Sequence, residues 1–169
     1  NLGLSASVSD VKEKITKFND DANNIYSNYK GRVLGEIWGY ETDRLFQADD
    51  FDANGNLKDG IPSQELYESG SFTFGPGDVK YKDLDGDGKI TYGSNTLEDH
   101  GDLKVIGNSL PRMEYNFSID LDYKSFDLRA FFQGVGSRDY WAYGSVAIPT
   151  GGSGFADGAF DHFLDYWTP

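Results

Sequence analysis

The stretch that decides the fold reads RMEYNFSIDLDYKSFDLRAFFQ and covers residues 112–133. In its first half, apolar side chains occupy every odd position: Met113, Tyr115, Phe117, Ile119, Leu121 and Tyr123. Polar side chains occupy the even positions between them. Period-two alternation of this kind predicts a β-strand with one apolar and one polar face.

A second strand is predicted after Lys124 and Ser125, where the apolar positions become the even ones, Phe126, Leu128, Ala130 and Phe132. A two-residue turn explains the switch, because it places both apolar sets on one face of an antiparallel hairpin. The predicted cross-strand pairs are Tyr123–Phe126, Leu121–Leu128, Ile119–Ala130 and Phe117–Phe132 on the apolar face, and Asp120–Arg129 and Asn116–Gln133 on the polar face.

The length of the first strand bears on its surroundings. A strand that crosses a membrane needs about 9–11 alternating residues, and residues 113–123 meet this requirement. Strands of soluble β-sandwiches alternate in the same way but commonly have about 5–6 residues. From the pattern alone, a membrane β-barrel and a soluble β-sandwich both remain open.

Composition favours strands joined by long loops. Of the 169 residues, 38% are hydrophobic and 15% aromatic, and there are 21 Gly, 12 Phe and 11 Tyr. Such a composition suits strands and turns better than helices. Alternating Leu2, Leu4, Ala6 and Val8 predict a short early strand, and residues 33–47 predict a strand followed by a loop. The predicted fold class is all-β.

Charge and cysteine content exclude several functions. The net charge of −13 disfavours nucleic-acid binding and favours divalent cations. The absence of cysteine excludes disulfides and thiolate metal sites. No apolar run approaches the roughly 20 residues of a transmembrane helix. The chain opens directly into alternation without a signal peptide, so we expect a processed or partial sequence.

The sharpest chemical motif is the acidic loop Asp83-Leu84-Asp85-Gly86-Asp87-Gly88-Lys89-Ile90. Calcium binds six to eight oxygens, and carboxylates on alternate residues converge when the chain curls. The predicted ligands are the carboxylates of Asp83, Asp85 and Asp87 and the main-chain carbonyl of Lys89. Gly88 permits the sharp turn, and Ile90 is predicted to anchor the curl among apolar groups.

The closing ligand of this loop is not evident from the spacing. The twelfth position is Ser94, which has no carboxylate. Glu98, Asp99 or Asp102 can close the site only if residues 91–101 loop out. An unmetallated, solvated turn is the alternative interpretation. The similar run Asp52-Ala53-Asn54-Gly55-Asn56 has too few carboxylates and is predicted to be a turn.

The sequence does not predict an enzyme. There is no cysteine nucleophile, and the two histidines, His100 and His162, lack a second histidine at ligand spacing. We expect them to be exposed or packed. Neither a nucleophile elbow nor a phosphate-binding glycine loop occurs. The aromatic residues between Tyr140 and Trp167 suit sugar stacking, but a packed loop cluster or an interfacial aromatic belt is the favoured interpretation.

Five segments, in this order, resemble the SusC/RagA type of TonB-dependent transporters: residues 39–47 (GYETDRLFQ), 76–90 (PGDVKYKDLDGDGKI), 105–112 (VIGNSLPR), 123–134 (YKSFDL followed by FFQG) and 166–169 (YWTP). Arg44 and Ser125 stand where the family commonly has Gly. The closing Asp of the family's acidic loop is matched by Asp102, after an inserted stretch. The resemblance therefore implies Asp102 as the last calcium ligand.

This resemblance implies a segment of a 22-stranded barrel in the bacterial outer membrane, whose plug and TonB-contacting segment lie outside residues 1–169. It implies a transmembrane hairpin at residues 112–138 and extracellular loops at 48–111 and 139–169, the first containing the acidic loop 83–102. The implied partners are a SusD-like surface lipoprotein, TonB and outer-membrane lipid, and the implied substrates are oligosaccharides or peptides. The alternative function is a secreted or surface calcium-binding β-module that binds glycans; a hydrolase fragment is a third.

Overall fold

The computed structural model describes residues 1–19, 21–64, 67–68, 72–142, 160–165 and 167–168. Within these residues the chain forms seven strands: β1 Leu2–Ser9, β2 Glu36–Tyr40, β3 Thr42–Leu45, β4 Val79–Tyr81, β5 Leu103–Asn108, β6 Arg112–Tyr123 and β7 Phe126–Ser137. Short 3-10 helices occupy Ala48–Asp50 and Asp161–Leu164. None of the described helices is long and apolar enough to cross a membrane. The all-β prediction is confirmed.

Strands β1, β6 and β7 form an antiparallel sheet in the order β1-β6-β7. The β6–β7 register matches the predicted register: Tyr123 faces Phe126, Phe117 faces Phe132 and Asp120 faces Arg129. At the turn, Lys124 adopts a positive φ of 55°, a backbone conformation for which two-residue hairpin turns commonly use Gly, Asn or Asp. The early strand is also confirmed, because β1 pairs with β6 from Leu2–Leu121 to Ser9–Glu114.

One face of this sheet is apolar and exposed along all three strands. Its exposed members include Leu2, Leu4, Val8, Met113, Tyr115, Phe117, Leu121, Tyr123, Phe126, Leu128 and Phe132. Exposure reaches 70% for Leu4 on β1 and 79% for Phe126 on β7. We call this surface the apolar face.

The opposite face is mainly polar and is linked across the strands by hydrogen bonds. Ser5 and Ser118 hydroxyls lie 2.8 Å apart, the Asn116 side chain donates to Ser7 at 2.7 Å, and Arg129 pairs with Asp120. Alternation on β7 is imperfect, since Phe131 and Val135 lie on this polar face opposite Ser118 and Glu114.

The chain divides into two compact units. The first contains Asn1–Asp20, Asn28–Ile37 and Gly107–Tyr140; the second contains Asp21–Ser27, Trp38–Ile106 and Trp141–Pro169. Two small sheets complete the topology, one of β2 with β5 and one of β3 with β4. The strand predicted in residues 33–47 is therefore two strands, β2 and β3, which are separated by Glu41.

The second unit has a conventional buried core. Its buried apolar side chains are Ile25, Phe46, Phe51, Ile90 and Leu103. The Phe46 ring lies 5.4 Å from that of Phe51 and 6.1 Å from that of Phe74, measured between centroids. Residues 48–111, predicted as a loop, contain most of this core together with β4 and β5, which the alternation had not indicated.

Two further predictions concern turns and loops. Residues 52–56 form the predicted turn, in which an Asp52 carboxylate oxygen accepts hydrogen bonds from the N–H groups of Asn54 and Asn56 at 2.8 and 2.9 Å. Of the predicted extracellular loop at residues 139–169, positions 143–159, 166 and 169 lie outside the described residues. Among the aromatic residues considered for sugar stacking, Tyr143, Phe155 and Tyr166 fall on these positions, as do positions 166 and 169 of the matched segment.

Candidate metal centre in the acidic loop

The acidic loop curls around the side chain of Asp83. Its Oδ1 accepts a hydrogen bond from the Gly86 N–H at 2.6 Å, and its Oδ2 accepts one from the Gly88 N–H at 2.8 Å. Gly86 and Gly88 have φ angles of 80° and 83°, in the left-handed region that favours glycine. The turn predicted at Gly88 is confirmed, and the local residue order is sufficient to explain it.

In the rest of the loop, Asp carboxylates also accept hydrogen bonds from following main-chain N–H groups, and a neighbouring segment bonds to the loop. Oδ1 of Asp85 accepts from the Asp87 N–H at 3.1 Å, and Oδ1 of Asp87 accepts from the Lys89 N–H at 2.7 Å. Ile90 is only 1% exposed, which confirms the predicted anchor. The main chain of Ser63 bonds both sides of the curl, donating to the Gly88 carbonyl and accepting from the Ile90 N–H.

The stretch that follows Thr91 loops out and returns to the curl. The Asp102 N–H donates to the Thr91 carbonyl at 2.9 Å, which closes the excursion at its base. Within the excursion, the Asp99 carboxylate accepts from the Ser94 N–H at 3.0 Å, and Glu98 accepts from the Asn23 side chain at 3.0 Å. Glu98 and Asp99 are therefore engaged away from the acidic loop.

Asp102 is the carboxylate that the excursion brings to the loop. One carboxylate oxygen from each of Asp83, Asp85 and Asp102 can be chosen so that all lie within 4.8 Å of one another. Asp102 is fully buried and is held by hydrogen bonds from the N–H groups of Leu84 (2.6 Å) and Thr91 (2.7 Å). Asp87 lies on the same curl but does not belong to this group of carboxylates, and Lys89 follows two residues later on the curl.

Negative charge is concentrated and uncompensated at this site. The hydrogen bond from the Asp87 N–H lowers the pKa of Asp85, but burial and repulsion from Asp102, Asp87 and Asp83 outweigh it, and the pKa is raised above its ordinary value. Within the described part of the chain, no lysine or arginine forms an ion pair with these four acidic residues. A cation bound here would relieve the repulsion.

Gln64 holds β4, the strand that leads into the acidic loop, in a way that sequence patterns did not indicate. Its side chain is 1% exposed and pairs with the main chain of β4, donating to the Val79 carbonyl at 3.1 Å and accepting from the Tyr81 N–H at 2.7 Å. The amide thus acts like one residue of an adjacent strand. No local pattern around Gln64 announces this role, since its partners lie 15 and 17 residues away.

Glu41 makes ion pairs with two lysines that flank the acidic loop in the sequence. Its carboxylate pairs with Lys82 and Lys104. The hydrogen bonds from Lys104 and Lys82 hold the pKa of Glu41 at about 2, below the ordinary value of 4.5. In the sequence, residues 39–47 stood out only because they resemble a segment of the SusC/RagA type. That resemblance predicted no role for Glu41.

The two histidines pack against aromatic rings. The centroid of the His100 ring lies 5.4 Å from that of Trp38, and the His162 ring lies 4.2 Å from that of Phe163. His100 also contacts the Gly101 carbonyl through Nδ1 at 3.1 Å. His100 is half-buried and packs as expected, whereas His162 is exposed, which was the other expectation.

Comparison with known proteins gives one informative likeness. No model of a known protein family matches the chain. Over 140 residues, 83% of its length, the chain is 29% identical to TonB-dependent receptor P3 of Formosa agariphila. It spans 12% of the length of that relative. The chain is thus distantly similar to a TonB-dependent receptor, which agrees with the broader family in the resemblance and leaves the SusC/RagA type a prediction.

Proposed function

We propose that the chain is a segment of a TonB-dependent outer-membrane transporter of the SusC/RagA type. In this proposal it supplies barrel wall and extracellular loops. The observation that carries the proposal is the apolar face of β1, β6 and β7, which is exposed across the sheet while the reverse face is mainly polar. A membrane barrel presents such faces to lipid and to its interior, respectively.

Strand length supports this assignment. Strands β6 and β7 have 12 residues each, which corresponds to about 40 Å at about 3.4 Å per residue. Tilted strands of about 9–11 residues cross the hydrocarbon core of a bilayer. The two-residue turn lies at one end of this hairpin, and the segments 48–111 and 139–169 leave from the other. Short turns on one side and long loops on the other are typical of outer-membrane barrels.

The function proposed for the complete protein is energised import of oligosaccharides or peptides. TonB would act through segments outside residues 1–169, and a SusD-like lipoprotein would cover the loops. Support comes from the likeness to TonB-dependent receptor P3 and from the segments that match the SusC/RagA type.

Two measurements test the transporter proposal: whether the complete gene product needs detergent, and whether cells that lack it lose uptake of its substrate. We expect the complete gene product to require detergent for solubility and to fractionate with outer membranes. Cells should lose uptake of its substrate when either this gene or tonB is deleted. A product that is soluble without detergent would contradict the proposal and favour the alternative, a secreted or surface calcium-binding module that recognises glycans.

We also propose that the acidic loop binds calcium. The ligands would be the carboxylates of Asp83, Asp85, Asp87 and Asp102 and the main-chain carbonyl of Lys89. Calcium–oxygen distances of about 2.3–2.6 Å place ligands on opposite sides of the ion about 5 Å apart, and the 4.8 Å limit on the three convergent carboxylates is compatible with this. The bound ion would stabilise the loop by neutralising its charge, without a chemical step.

Calcium titration of the folded protein tests this second proposal. Asp85→Ala combined with Asp87→Ala should remove one binding event that the wild type shows. Asp49→Ala combined with Asp59→Ala removes the same charge from exposed positions elsewhere in the second unit and serves as the matched control. Equal calcium affinity in the wild type and the Asp85/Asp87 variant would refute the calcium assignment.

A further inference from the structure

Glu41 lies at a junction in the second unit. It is the single residue between β2 and β3, and these strands pair with β5 and β4, respectively. Its main-chain carbonyl accepts a hydrogen bond from the Lys82 N–H at 2.9 Å. Glu41 is thus tied by its backbone to the chain that leaves β4.

The carboxylate of Glu41 reaches two lysines at once. Oε1 pairs with Nζ of Lys82, and Oε2 pairs with Nζ of Lys104. The Glu41 side chain is 29% exposed and the two lysine side chains are 42% and 44% exposed, so all three are partly shielded. We call this arrangement the Glu41 clamp.

The two lysines stand at the two ends of the acidic loop. Lys82 directly precedes Asp83, the first carboxylate of the loop. Lys104 follows Asp102, the buried closing carboxylate, by two residues and belongs to β5. The Glu41 clamp therefore fastens together the two points at which the chain enters and leaves the site.

Charge gives the Glu41 clamp a second effect. The ammonium groups of Lys82 and Lys104 are close in sequence to the acidic loop. Among the described residues, the carboxylates of that loop form no ion pair. Without Glu41, these ammonium groups would be released to approach the loop carboxylates and compete with a metal ion.

We propose that Glu41 is a positioning residue for the calcium loop, which sets calcium affinity through Lys82 and Lys104 without touching the ion. This inference rests on the proposed calcium site. Outer-shell residues that orient metal ligands typically contribute 10–100-fold to affinity. Because Glu41 acts through side chains adjacent to the ligands, we expect about a tenfold effect, at the lower end of that range.

The test is a calcium titration of the complete gene product in detergent by isothermal titration calorimetry. The heat lost in the Asp85→Ala/Asp87→Ala variant identifies the binding event of the acidic loop. Glu41→Gln should raise the dissociation constant of that event about tenfold. Asp43→Asn removes the neighbouring Lys80–Asp43 ion pair, 2.6 Å long, and should leave the constant within about twofold of the wild type.

A double-mutant cycle separates positioning from general destabilisation. In a Lys82→Gln/Lys104→Gln background, Glu41→Gln should change the dissociation constant by less than about twofold, because the groups through which it acts are gone. A tenfold loss that persists in this background, or an unchanged constant in the single variant, would overturn the role of Glu41 while leaving the calcium site intact. Absence of a loop-dependent binding event in the wild type would overturn both.

Discussion

The sheet of β1, β6 and β7 and the loop-rich second unit use the same residue types in opposite ways. Phe126 on the sheet is 79% exposed, whereas Phe46 in the second unit is fully buried between aromatic neighbours. An exposed apolar sheet face is unfavourable in water but favourable against lipid. The second unit buries its apolar side chains internally, as a structure surrounded by water does.

Polar groups show the same contrast. On the sheet, polar side chains occupy one face and pair with each other across strands, as Ser5 does with Ser118. In the second unit, Asp102 and Gln64 are buried. Asp102 accepts hydrogen bonds from main-chain N–H groups, and Gln64 donates to one main-chain carbonyl and accepts from one main-chain N–H. Buried polar groups need such partners because their desolvation is costly. The difference indicates that the two regions are built for different surroundings.

Phe46→Ala is expected to have the largest effect on stability, and it tests whether the second unit has a buried core that the sheet lacks. Removing a fully buried phenylalanine should cost about 3–5 kcal/mol of local stability, since it leaves a cavity. Hydrogen–deuterium exchange of the β3 and β4 amides in the complete gene product measures this. Phe126→Ala is the matched control and should leave that exchange unchanged; equal effects of the two variants would show that the second unit has no core of its own.

A charge on the apolar face is expected to have the next largest effect. Phe117→Arg places a guanidinium on the apolar face near the middle of β6, where we propose lipid, and should cost about 2–4 kcal/mol. Ser118→Arg puts the same charge on the polar face of the same strand, where the cost should be below about 1 kcal/mol. Urea unfolding in liposomes gives both values. If the two arginines cost the same, the assignment of the faces is wrong.

Gln64→Ala is expected to destabilise the second unit by about 1–3 kcal/mol, because it leaves the half-buried Val79 carbonyl and Tyr81 N–H without their Gln64 partner. Faster amide exchange in β4 would report this loss. The exposed Gln133 of β7 provides the comparison, since Gln133→Ala should change stability by less than about 0.5 kcal/mol. A β4 that exchanges at the wild-type rate would rule out the bracing role of Gln64.

The smallest expected effect concerns acid pH. The Arg44 hydrogen bonds to Asp50 hold the pKa of Asp50 at about 2, below its ordinary value of 3.8. The depressed pKa makes this pair fully stabilising above pH 3.8, and the contribution declines as pH falls towards 2. We expect it to be below about 1 kcal/mol, because Arg44 is partly exposed.

The unfolding free energies of the wild type and Asp50→Asn, measured at pH 6 and pH 2, check this pH dependence. The difference between the two proteins should shrink at the lower pH. A difference that is the same at both values would assign the stabilising role of Asp50 to its hydrogen bond with Gln47 rather than to its charge.

Local sequence patterns were sufficient to predict the β6–β7 hairpin and the curl of the acidic loop. The β6–β7 register followed from alternation and a two-residue turn, because neighbouring residues in a strand must point to opposite faces. The curl around Asp83 followed from the spacing of carboxylates and glycines within a few residues. Both features depend on contacts that are close in sequence.

The remaining features depend on tertiary structure. The residue spacing left Glu98, Asp99 and Asp102 as alternative closing ligands, and the family resemblance favoured Asp102. In the structure, residues 91–102 fold back on themselves and bring Asp102 beside Asp83 and Asp85. Glu41 meets Lys82 and Lys104 across 41 and 63 residues. The sequence by itself therefore determined the alternating sheet and the acidic curl, and tertiary structure decided which distant side chains complete the site, because only packing brings them together.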